Sequence, residues 1–486
     1  MRARPGLRYR GTMHGPASSK TLSAGTSAAT PASAPSADLA DAVRQLRRGT
    51  VLVVGDAMLD RYVYGRVSRV SPEAPVPVLA VEREVALPGG AGNVVRNLTA
   101  LGAAVAFVSV VGDDQAGSDL TGLIGGQPGV EPWLLVQGGR ATTTKTRFVC
   151  SGQHLLRADH EQLVPIQPRL ADRLVRIAAD AVAATAVMVL SDYSKGTLSG
   201  DVPQRLIAAA RAGGRKVVVA PRGADPARYA GADLILPGAA ELAQATGMPT
   251  GTEGEVAAAA AALRKAHGFG AVMVLRGEPG ATLVEEAGAS HWPTEAAELV
   301  DWAGAGDAVL AVAACGLGAG LPLPVVARLG AIAAGIVVGK SGIAVVREDE
   351  FLEALAPGRL SARKLVSRAQ AAEKVERWRR DGFRVGFLTG DTASAYPKLV
   401  DEARTWCDRL VVGLADADPT AEAFAALGAV DLVARYGADT VLDLIRLLRP
   451  DVLIQDAAGA PDTVRGGEML QEWGGTIRKA EPSPVA

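Results

Sequence analysis

The sequence predicts an α/β protein with a doubly wound, mostly parallel sheet, followed by a second, smaller α/β unit. Three observations lead to this prediction. Short continuous apolar runs recur along the chain, amphipathic stretches separate them, and a second such series begins after a break near residue 356. The chain has 486 residues, of which 48% are hydrophobic and 21% charged. That length and composition suit two globular domains.

The first series consists of apolar runs that we interpret as strands buried on both faces of a sheet. They lie at 50–59, 103–112, 186–193, 215–221, 232–238 and 271–277. Periodicity between them predicts helices, for example at 201–212 and 253–266. The segments 76–84 and 142–150 alternate polar and apolar residues more strongly. We therefore predict that these two segments are antiparallel strands of a small lid sheet inserted into the main domain.

The second series predicts one small Rossmann-like unit. Its predicted elements are a helix at 370–381, a strand at 383–390, a helix at 398–406, strands at 409–416 and 430–437, a helix at 439–448 and a strand at 451–456. The resulting domains are a disordered tail at 1–40, a first domain at 41–356 and a second domain at 357–486. Residues 1–35 are rich in Ser, Ala, Thr, Gly and Pro, which indicates disorder or a true start at Met13 rather than Met1.

Charge and cysteine content narrow the class of protein. The formal net charge is −1, which argues against a strong attraction to nucleic acid or to an anionic membrane. The most apolar stretch, 321–338, is interrupted by Arg328 and predicts a buried helix rather than a membrane span. The three cysteines are far apart and form no CxxC pair, which predicts buried thiols in a reducing, cytoplasmic setting.

A glycine-rich turn before an apolar helix is the first candidate site. The segment 301–316 reads DWAGAGDAVLAVAACG, so Gly304 and Gly306 precede Asp307. Such a turn exposes backbone N–H groups beside the positive end of a helix dipole, which favours a phosphate. An Asp there can accept a proton from a substrate hydroxyl. The alternative is an ordinary tight turn with Asp307 as the helix N-cap.

A second glycine-rich turn, PGGAGNVVRNLTALG at 88–102, precedes another predicted helix. Gly89 and Gly90 allow a polyhydroxylated ligand to approach the backbone, and the Asn93 amide can both donate to and accept from hydroxyls. A flexible loop with an Asn cap is the alternative. Asp60 follows the first strand, where a ligand crevice is expected, although an Asp there also suits a turn.

The order and spacing of these three segments resemble the ribokinase (PfkB) family of sugar kinases. Further segments are similar to the heptose 7-phosphate kinase branch of that family; they lie at 51–82, 142–149, 155–161, 190–198 and 333–344. In many bacteria this branch is fused to a C-terminal heptose 1-phosphate adenylyltransferase. The resemblance covers the chain from Asp41 onward in the fused order. It implies a ribokinase-like doubly wound sheet with a small β lid, then a Rossmann-like, nucleotidyltransferase-type domain.

The resemblance also implies a role for each matching residue. It makes Asp307 the catalytic base that deprotonates the 1-hydroxyl of heptose 7-phosphate. The residues implied to bind the nucleotide ATP are Gly304, Ala305, Gly306, Gly277, Gly280 and Glu241. The residues implied to bind the sugar are Asp60, Gly89, Gly90 and Asn93. Mg²⁺ is the expected metal because phosphoryl transfer requires a cation on the phosphates.

The substrate's own phosphate requires a cation within reach, and Lys145 or Arg147 on the predicted lid is our candidate. A solvated, alternating strand face is the alternative for both. The resemblance further implies a homodimer that pairs through the lid sheets. The partners are thus a sugar phosphate and ATP, with no nucleic acid and no membrane.

The first domain departs from the family pattern in three segments. Ala303 follows Trp302 where the family has Thr, Ala220-Pro221-Arg222 stands for Asp-Pro-Lys, and Gly238 stands for Asn. Glu241 is retained, and the base and the glycine-rich turn are intact. Two alternatives therefore stay open: a kinase for a different sugar, and a pseudoenzyme that binds nucleotide or sugar phosphate and regulates a partner.

The second domain departs further from its family. Adenylyltransferases of this type carry a His-x-Gly-His motif after the first strand, whereas this chain reads DTASAYPKLVDEAR at 391–404. All five histidines, of which His291 is the last, precede residue 357. We interpret this domain as a cytidylyltransferase-like fold that has lost adenylyl transfer and serves packing, oligomer contacts or binding of a regulator.

Overall fold

The computed structural model describes two α/β units joined in one chain. The described residues are 36–150, 153–223, 225–294, 301–340, 342–355, 364–380, 382–389, 400, 402–416, 418–436, 441–456, 469–470 and 472–480. The tail at 1–35 and the predicted boundary near 356–363 lie outside them. So does most of the segment 390–401, where the predicted helix at 398–406 begins.

Nineteen strands form within the described residues. In the first unit they are β1 (Thr50–Gly55), β2 (Ala57–Val70), β3 (Pro77–Gly90), β4 (Ala104–Gly112), β5 (Val130–Gln137), β6 (Thr144–Cys150), β7 (Gln153–His160), β8 (Val187–Ser191), β9 (Lys216–Ala220), β10 (Leu234–Ile235), β11 (Ala271–Leu275), β12 (Ala281–Glu285) and β13 (Gly288–Trp292). In the second unit they are β14 (Leu365–Val366), β15 (Val385–Thr389), β16 (Arg409–Ala415), β17 (Leu432–Tyr436), β18 (Val452–Asp456) and β19 (Thr476–Ala480).

The helices alternate with these strands. In the first unit they are α1 (Ser36–Leu46), α2 (Ala91–Ala100), α3 (Gln115–Gly125), α4 (Pro168–Val182), α5 (Val202–Ala212), α6 (Ala239–Thr246), α7 (Glu253–His267), α8 (Ala305–Gly318), α9 (Leu323–Val338) and α10 (Glu348–Leu355). In the second unit they are α11 (Arg368–Arg380), α12 (Ala421–Ala426) and α13 (Val441–Leu448).

The main sheet of the first unit has the order β13-β12-β11-β10-β9-β8-β1-β4-β5 among the described strands. The strands from β10 through β5 in this order pair in parallel, and β12 and β13 add an antiparallel hairpin at one edge. From β1 the chain moves outward to β4 on one side and later to β8 on the other. The strand order therefore reverses at β1, which is where ligands bind in open α/β sheets.

Strand β1 shows why the apolar runs form this sheet. Val51 and Val53 pack into the core on the side of α2, α8 and α9, while Leu52 and Val54 pack into the core on the side of α4, α5 and α7. All four side chains are fully buried. A strand that is covered on both faces must be apolar at every position, and this explains its continuous hydrophobic sequence.

The lid is a separate sheet with the strand order β3-β2-β6-β7 in the described part of the chain. The expected lid strands at 76–84 and 142–150 both belong to it. The two strands, β3 and β6, run in opposite directions as expected, because β3 is antiparallel to β2 and β2 is parallel to β6. They do not pair with each other, since β2 lies between them, and β6 pairs antiparallel with β7 on its other side. Alternation alone reveals a half-buried strand but not its direction.

The second unit is a sheet with the order β14-β17-β16-β15-β18-β19, in which the described pairs are all parallel. Apolar side chains cover both faces, with Phe387 and Leu444 on one side and Ile454 and Phe424 on the other. This is the Rossmann-like arrangement that the alternating pattern predicts.

Two further predictions concern the ends of the first unit: the extent of the N-terminal tail and the helix at 321–338. The predicted tail at 1–40 extends too far, because α1 begins at Ser36 and buries Leu39 in the core beside α8 and α9. The stretch at 321–338 forms α9, a helix buried in that core as predicted. Across the described residues, none of the helices combines the length and the hydropathy that a membrane crossing requires.

Candidate active site

The predicted phosphate turn lies at the start of α8, beside the point where the strand order reverses. Gly304 is the N-cap of this helix and has φ of +84°, a conformation that side chains with a Cβ rarely adopt. A Cβ on Gly304 would also lie 2.9 Å from Nδ2 of Asn93. The turn therefore requires glycine for its backbone angle and for its close contact with α2, and it brings Asp307 into the first turn of α8.

The carboxylate of Asp307 accepts hydrogen bonds on both oxygens. The Tyr193 hydroxyl donates to Oδ1, and Nδ2 of Asn93 donates to Oδ2 over 2.8 Å. Burial raises the pKa of Asp307 to about 6, while the two hydrogen bonds and Arg222 act in the opposite direction. Asp307 is thus ionised at neutral pH and basic enough to accept a proton.

The Asn93 amide is fixed by a second partner. Nη1 of Arg96 donates to Oδ1 of Asn93 over 3.0 Å and to the carbonyl oxygen of Ile343 over 3.1 Å. Because Oδ1 faces a guanidinium donor, Nδ2 is the atom that faces Asp307. Burial lowers the pKa of Arg96, and the carboxylates of Asp60 and Asp307 oppose that effect. Arg96 was not singled out from the sequence.

The predicted sugar-binding residues converge where β2 pairs with β3. Gly89 pairs with Met58, and a Cβ on Gly89 would lie 1.7 Å from Oδ2 of Asp60. The bare glycine thus leaves room for that carboxylate. Gly90 has φ of +56° and is the N-cap of α2, the helix that carries Asn93. The predicted sugar-binding residues therefore lie close together where the lid strands β2 and β3 join α2, and we call this region the sugar corner: Asp60, Gly89, Gly90 and Asn93.

The two predicted phosphate-binding cations lie on β6, next to β2. Arg147 forms an ion pair with Asp60, whose side chain is buried, while that of Arg147 is 12% exposed. Its guanidinium also lies 5.2 Å from the ring centroid of Tyr62. Lys145 instead contacts Asp159 over 2.8 Å and Glu161 over 3.6 Å. Both cations therefore have carboxylate partners within the chain, and Arg147 is the one in direct contact with a predicted sugar residue.

Of the six predicted nucleotide-binding residues, all except Gly304 line one cavity that opens in front of Asp307. Gly277 and Gly280 form part of its wall, both with positive φ, and a Cβ on Gly280 would lie 2.0 Å from the carbonyl oxygen of Trp292. The exposed side chain of Trp302 completes this wall.

Glu241 lies in the same cavity but is engaged by the chain. Its carboxylate pairs with Arg222 and accepts the backbone N–H of Gly238 over 2.6 Å, which caps α6. A Cβ on Gly238 would lie 2.4 Å from Oε2 of Glu241, so an Asn there would require Glu241 to move. Glu241 therefore links the departures at 222 and 238: one carboxylate oxygen accepts the Gly238 N–H and the other pairs with Arg222.

Three residues of this site were not assigned from the sequence: Tyr193, Arg222 and Arg96. Tyr193 follows β8 in the run LSDYSKGTL, and the only available signal was its position at the carboxyl end of a strand. Its contact with Asp307 joins positions 114 residues apart. Such a contact depends on the strand order and cannot be found from local spacing.

A divalent cation fits this site only as a companion of the nucleotide phosphates. In the part of the chain that the structure describes, no group of three or more His, Cys, Asp or Glu side chains could hold a metal ion. Mg²⁺ characteristically keeps several waters and binds through substrate phosphates with few protein ligands. The donor set is consistent with that mode of binding.

Comparisons with known proteins agree with the fold and give the family. Residues 48–349 match the pfkB family carbohydrate kinases. The bifunctional protein HldE of Acidiphilium cryptum is 53% identical over 92% of this chain and 96% of its own length. The bifunctional protein HldE of Paramagnetospirillum magneticum is 46% identical over 91% of this chain and 95% of its own length.

Two solved structures show the fold of the first unit. Arabidopsis thaliana ribokinase, solved with ribose and ATP, has a TM-score of 0.52 and 22% identity over 64% of this chain and 99% of its own. Escherichia coli phosphofructokinase-2, solved with substrates and products, has a TM-score of 0.53 and 18% identity over 63% of this chain and 98% of its own. The first unit is thus a ribokinase-like α/β fold with a lid, as predicted. The chain belongs to the pfkB family of carbohydrate kinases, and its relatives over both units are bifunctional HldE proteins.

Proposed function

We propose that the chain transfers the γ-phosphoryl group of ATP to O1 of D-glycero-β-D-manno-heptose 7-phosphate and so forms the 1,7-bisphosphate. The observation that carries this proposal is the carboxylate of Asp307, which lies at the N-terminus of α8 between Asn93 and an open cavity. The HldE relatives, which match almost the whole chain, support the heptose as the sugar.

In the proposed reaction, Asp307 accepts the proton of the sugar 1-hydroxyl as that oxygen attacks the γ-phosphate. A pKa of about 6 suits this task because the carboxylate is ionised at neutral pH and still basic. We assign the backbone N–H groups of Gly304, Ala305 and Gly306 to the transferred phosphoryl group, at the positive end of the helix dipole. The Ala305 N–H donates to the carbonyl oxygen of Trp302 over 3.3 Å and would exchange that partner for the phosphate. Stabilisation of charge by such fixed donors is usually the largest catalytic contribution.

We assign the sugar to the corner formed by Asp60, Gly89, Gly90 and Asn93. Arg147, together with Lys145, remains our candidate for the substrate's 7-phosphate. Its guanidinium already neutralises Asp60, which supports a site where one cation serves a carboxylate and an incoming phosphate. A purely structural ion pair is the alternative, and a sugar without a phosphate as substrate would favour it.

On the nucleotide side, Gly277 and Gly280 allow close approach of ATP, and Arg222 provides a cation held by Glu241. Mg²⁺ is the metal we propose, carried on the ATP phosphates and their waters. When bound, it neutralises charge that develops on the transferred phosphoryl group. The chain's part is to hold the phosphates at the glycine turn and the hydroxyl at Asp307.

For the second unit we propose that adenylyl transfer has been lost, although the relatives are named as bifunctional. The support is the sequence itself: no histidine follows His291. The reaction in this protein class depends on imidazoles that stabilise charge on the phosphates. Incubation with heptose 1-phosphate and ATP tests this directly. Pyrophosphate release would show that other residues carry the reaction.

We further propose a homodimer that pairs through the lid, in a reducing, cytoplasmic setting. Support comes from apolar side chains that the lid strands expose, among them Val70, Val81 and Leu156, which are 65%, 54% and 61% exposed. Exposed apolar groups of this kind mark association surfaces. Sedimentation of the purified protein tests the dimer, and a monomer at micromolar concentration would contradict it.

The experiment that tests the kinase proposal is an ADP-release assay with a panel of sugars and sugar phosphates. We expect turnover with heptose 7-phosphate that disappears in Asp307→Asn. Turnover with another sugar would keep the mechanism and change the substrate. Measurable ATP binding without turnover on any acceptor would favour the nucleotide-binding pseudoenzyme.

A further inference from the structure

We infer that Tyr193 is a positioning residue that sets the protonation of the catalytic carboxylate: its hydroxyl donates to Asp307 and keeps that group ionised and aimed at the substrate hydroxyl. The inference rests on the proposed role of Asp307 as base. It assigns a function to the loop after β8, a segment to which the sequence motifs assign no role.

The loop holds Tyr193 through its backbone. The buried carboxylate of Asp56, at the end of β1, accepts the N–H groups of Tyr193, Lys195 and Thr197 over 2.9, 3.0 and 2.9 Å. Three such bonds fix the loop against the carboxyl end of β1. Tyr193 is therefore anchored from the strand at which the sheet order reverses.

The next residues add a second anchor. Ser194 has φ of +55°, a strained conformation for a residue other than glycine, and its N–H donates to Asp192 over 2.7 Å. Asp192 is buried and also accepts from the hydroxyl of Tyr229. Strain that is held by two buried carboxylates indicates that the loop conformation is needed, and its result is the direction of the Tyr193 side chain.

The ring of Tyr193 is covered from the cavity side. The guanidinium of Arg222 lies 5.3 Å from its ring centroid, within the range of a cation–π contact, and pairs with Glu241. Tyr193 therefore links the carboxyl ends of β8 and β9 to Asp307 on α8. Rotation of its ring away from Asp307 would break the contact with Arg222 as well.

The direction of the hydrogen bond decides its effect. The pKa of Tyr193 is well above its usual value, because the surrounding protein desolvates the hydroxyl and Asp307 faces it, so the hydroxyl stays protonated and acts as donor. A donor favours the charged form of a carboxylate. The Tyr193 and Asn93 bonds occupy two of the roughly four acceptor positions of Asp307, and positions remain for a sugar hydroxyl.

Other charged groups also face Asp307, from every element packed around it. They are Arg222 after β9, Asp60 on β2 and Arg96 on α2, and Glu241 on α6 acts through Arg222. All of them remain when only the Tyr193 hydroxyl is removed. A change in the titration of Asp307 in Tyr193→Phe would therefore report the missing hydroxyl.

The test is the pH dependence of kcat for the full chain and for Tyr193→Phe. The enzyme is active when Asp307 is deprotonated, so kcat rises with pH through the pKa of Asp307. Loss of a donor to the carboxylate raises that pKa, and we expect the acidic limb to move up by about one to two pH units. With a starting pKa of about 6, the variant should thus lose about 5- to 50-fold at pH 6 and at most about twofold at pH 8.

Two controls separate this effect from general damage. Tyr64→Phe removes a hydroxyl from a lid ring that stacks on Tyr62 and lies under the guanidinium of Arg83, and we expect its acidic limb to stay in place. Protonation of the substrate phosphates contributes equally to all variants because they use the same substrates. An acidic limb at the same pH in Tyr193→Phe, or a loss that is equal at every pH, would overturn the inference.

The two variants distinguish a failure of Asp307 as the base from a failure of Tyr193 as the positioning residue. Normal turnover by Asp307→Asn would contradict the base itself, whereas an inactive Asp307→Asn with an unmoved limb in Tyr193→Phe would contradict only Tyr193. If Tyr193→Phe does not fold, ring-carbon NMR of the seven labelled tyrosines in the native protein replaces it. One tyrosine signal should titrate near pH 6 and lose that titration in Asp307→Asn; its absence would contradict the inference.

Discussion

The two units of the chain share an architecture and differ in what lies at the carboxyl ends of their strands. At β1 and β8 in the first unit, buried carboxylates at Asp56 and Asp192 hold a loop that reaches Asp307. At β16 and β17 in the second unit, Arg435 donates to the backbone carbonyl of Asp416 over 3.0 Å. Both sheets need only buried apolar strands to form. Chemistry depends on a few side chains at the strand ends, which can be lost while the fold remains.

The largest expected effect is on kinase kcat, which should fall on mutation of the first unit and not of the second. Asp307→Asn should lower kinase kcat by about 10²–10⁴-fold, because a positioned base contributes that much, and should leave ATP affinity within a few-fold. Asp416→Asn, the same change at a strand end of the second unit, should leave kcat unchanged. Kinase assays and calorimetric titration with ATP measure both. A similar loss in the two variants would remove the distinction between the units.

The ion pairs of the two units differ in how many cations hold the carboxylate. Arg147→Met leaves the buried Asp60 without its ion-pair partner, whereas Arg404→Met leaves the partly exposed Asp431 paired with Arg409. Arg147→Met should therefore lower the free energy of unfolding by about 3–5 kcal/mol, and Arg404→Met by about 1 kcal/mol or less. Only Arg147→Met should also raise the KM for the sugar phosphate.

Urea unfolding and steady-state kinetics check these two variants. The double change Asp60→Asn with Arg147→Met should recover part of the stability, since no buried charge is then left alone. A loss of kinase function in Arg404→Met at full folding would mean that the second unit acts on the active site.

Two glycines with nearly the same backbone angle provide a smaller contrast. Gly304 has φ of +84° and Gly382, in the second unit, has φ of +82°. A change to Ala should cost about 1–2 kcal/mol of stability at either position. Gly304→Ala should in addition lower kcat by about 10- to 10²-fold, because its Cβ displaces Asn93. Equal kcat values in the two variants would show that the turn tolerates the displacement.

The smallest effects are expected at exposed ion pairs in both units. Arg44 pairs with Asp41, and Arg377 pairs with Glu373, all four with solvent-exposed side chains. Replacement of either arginine by Ala should change the free energy of unfolding by less than about 0.5 kcal/mol and leave kcat unaltered. Thermal unfolding gives the measurement, and a loss above about 1 kcal/mol would identify a structural role that the contacts do not reveal.

Much of this architecture could be predicted from sequence because it follows local rules. The run at 51–54 is apolar at every position since β1 is covered on both faces, and the turn before Asp307 needs glycine at 304. The parallel pairing of β2 with β6 could not be predicted, because alternation does not encode direction. The same holds for Tyr193, whose partner Asp307 lies 114 residues away and is reached through the strand order.

The departures at 222 and 238 illustrate a second reason why parts of the site could not be predicted from the sequence. Each looked like an isolated loss of a family residue in the sequence. The structure couples them, because the bare Gly238 leaves space for the carboxylate of Glu241, and that carboxylate pairs with Arg222. The energetic meaning of one substitution depends on a neighbour in space, which single-sequence reasoning does not supply.

Phosphorus NMR of one reaction tests most directly whether catalysis resides in the first unit alone. The purified full chain is incubated with heptose 7-phosphate, heptose 1-phosphate, ATP and Mg²⁺. We predict ADP and a new sugar 1-phosphate signal from the bisphosphate, without pyrophosphate or a nucleotide-linked heptose. Pyrophosphate together with a nucleotide-linked heptose would contradict the account, and so would the absence of ADP.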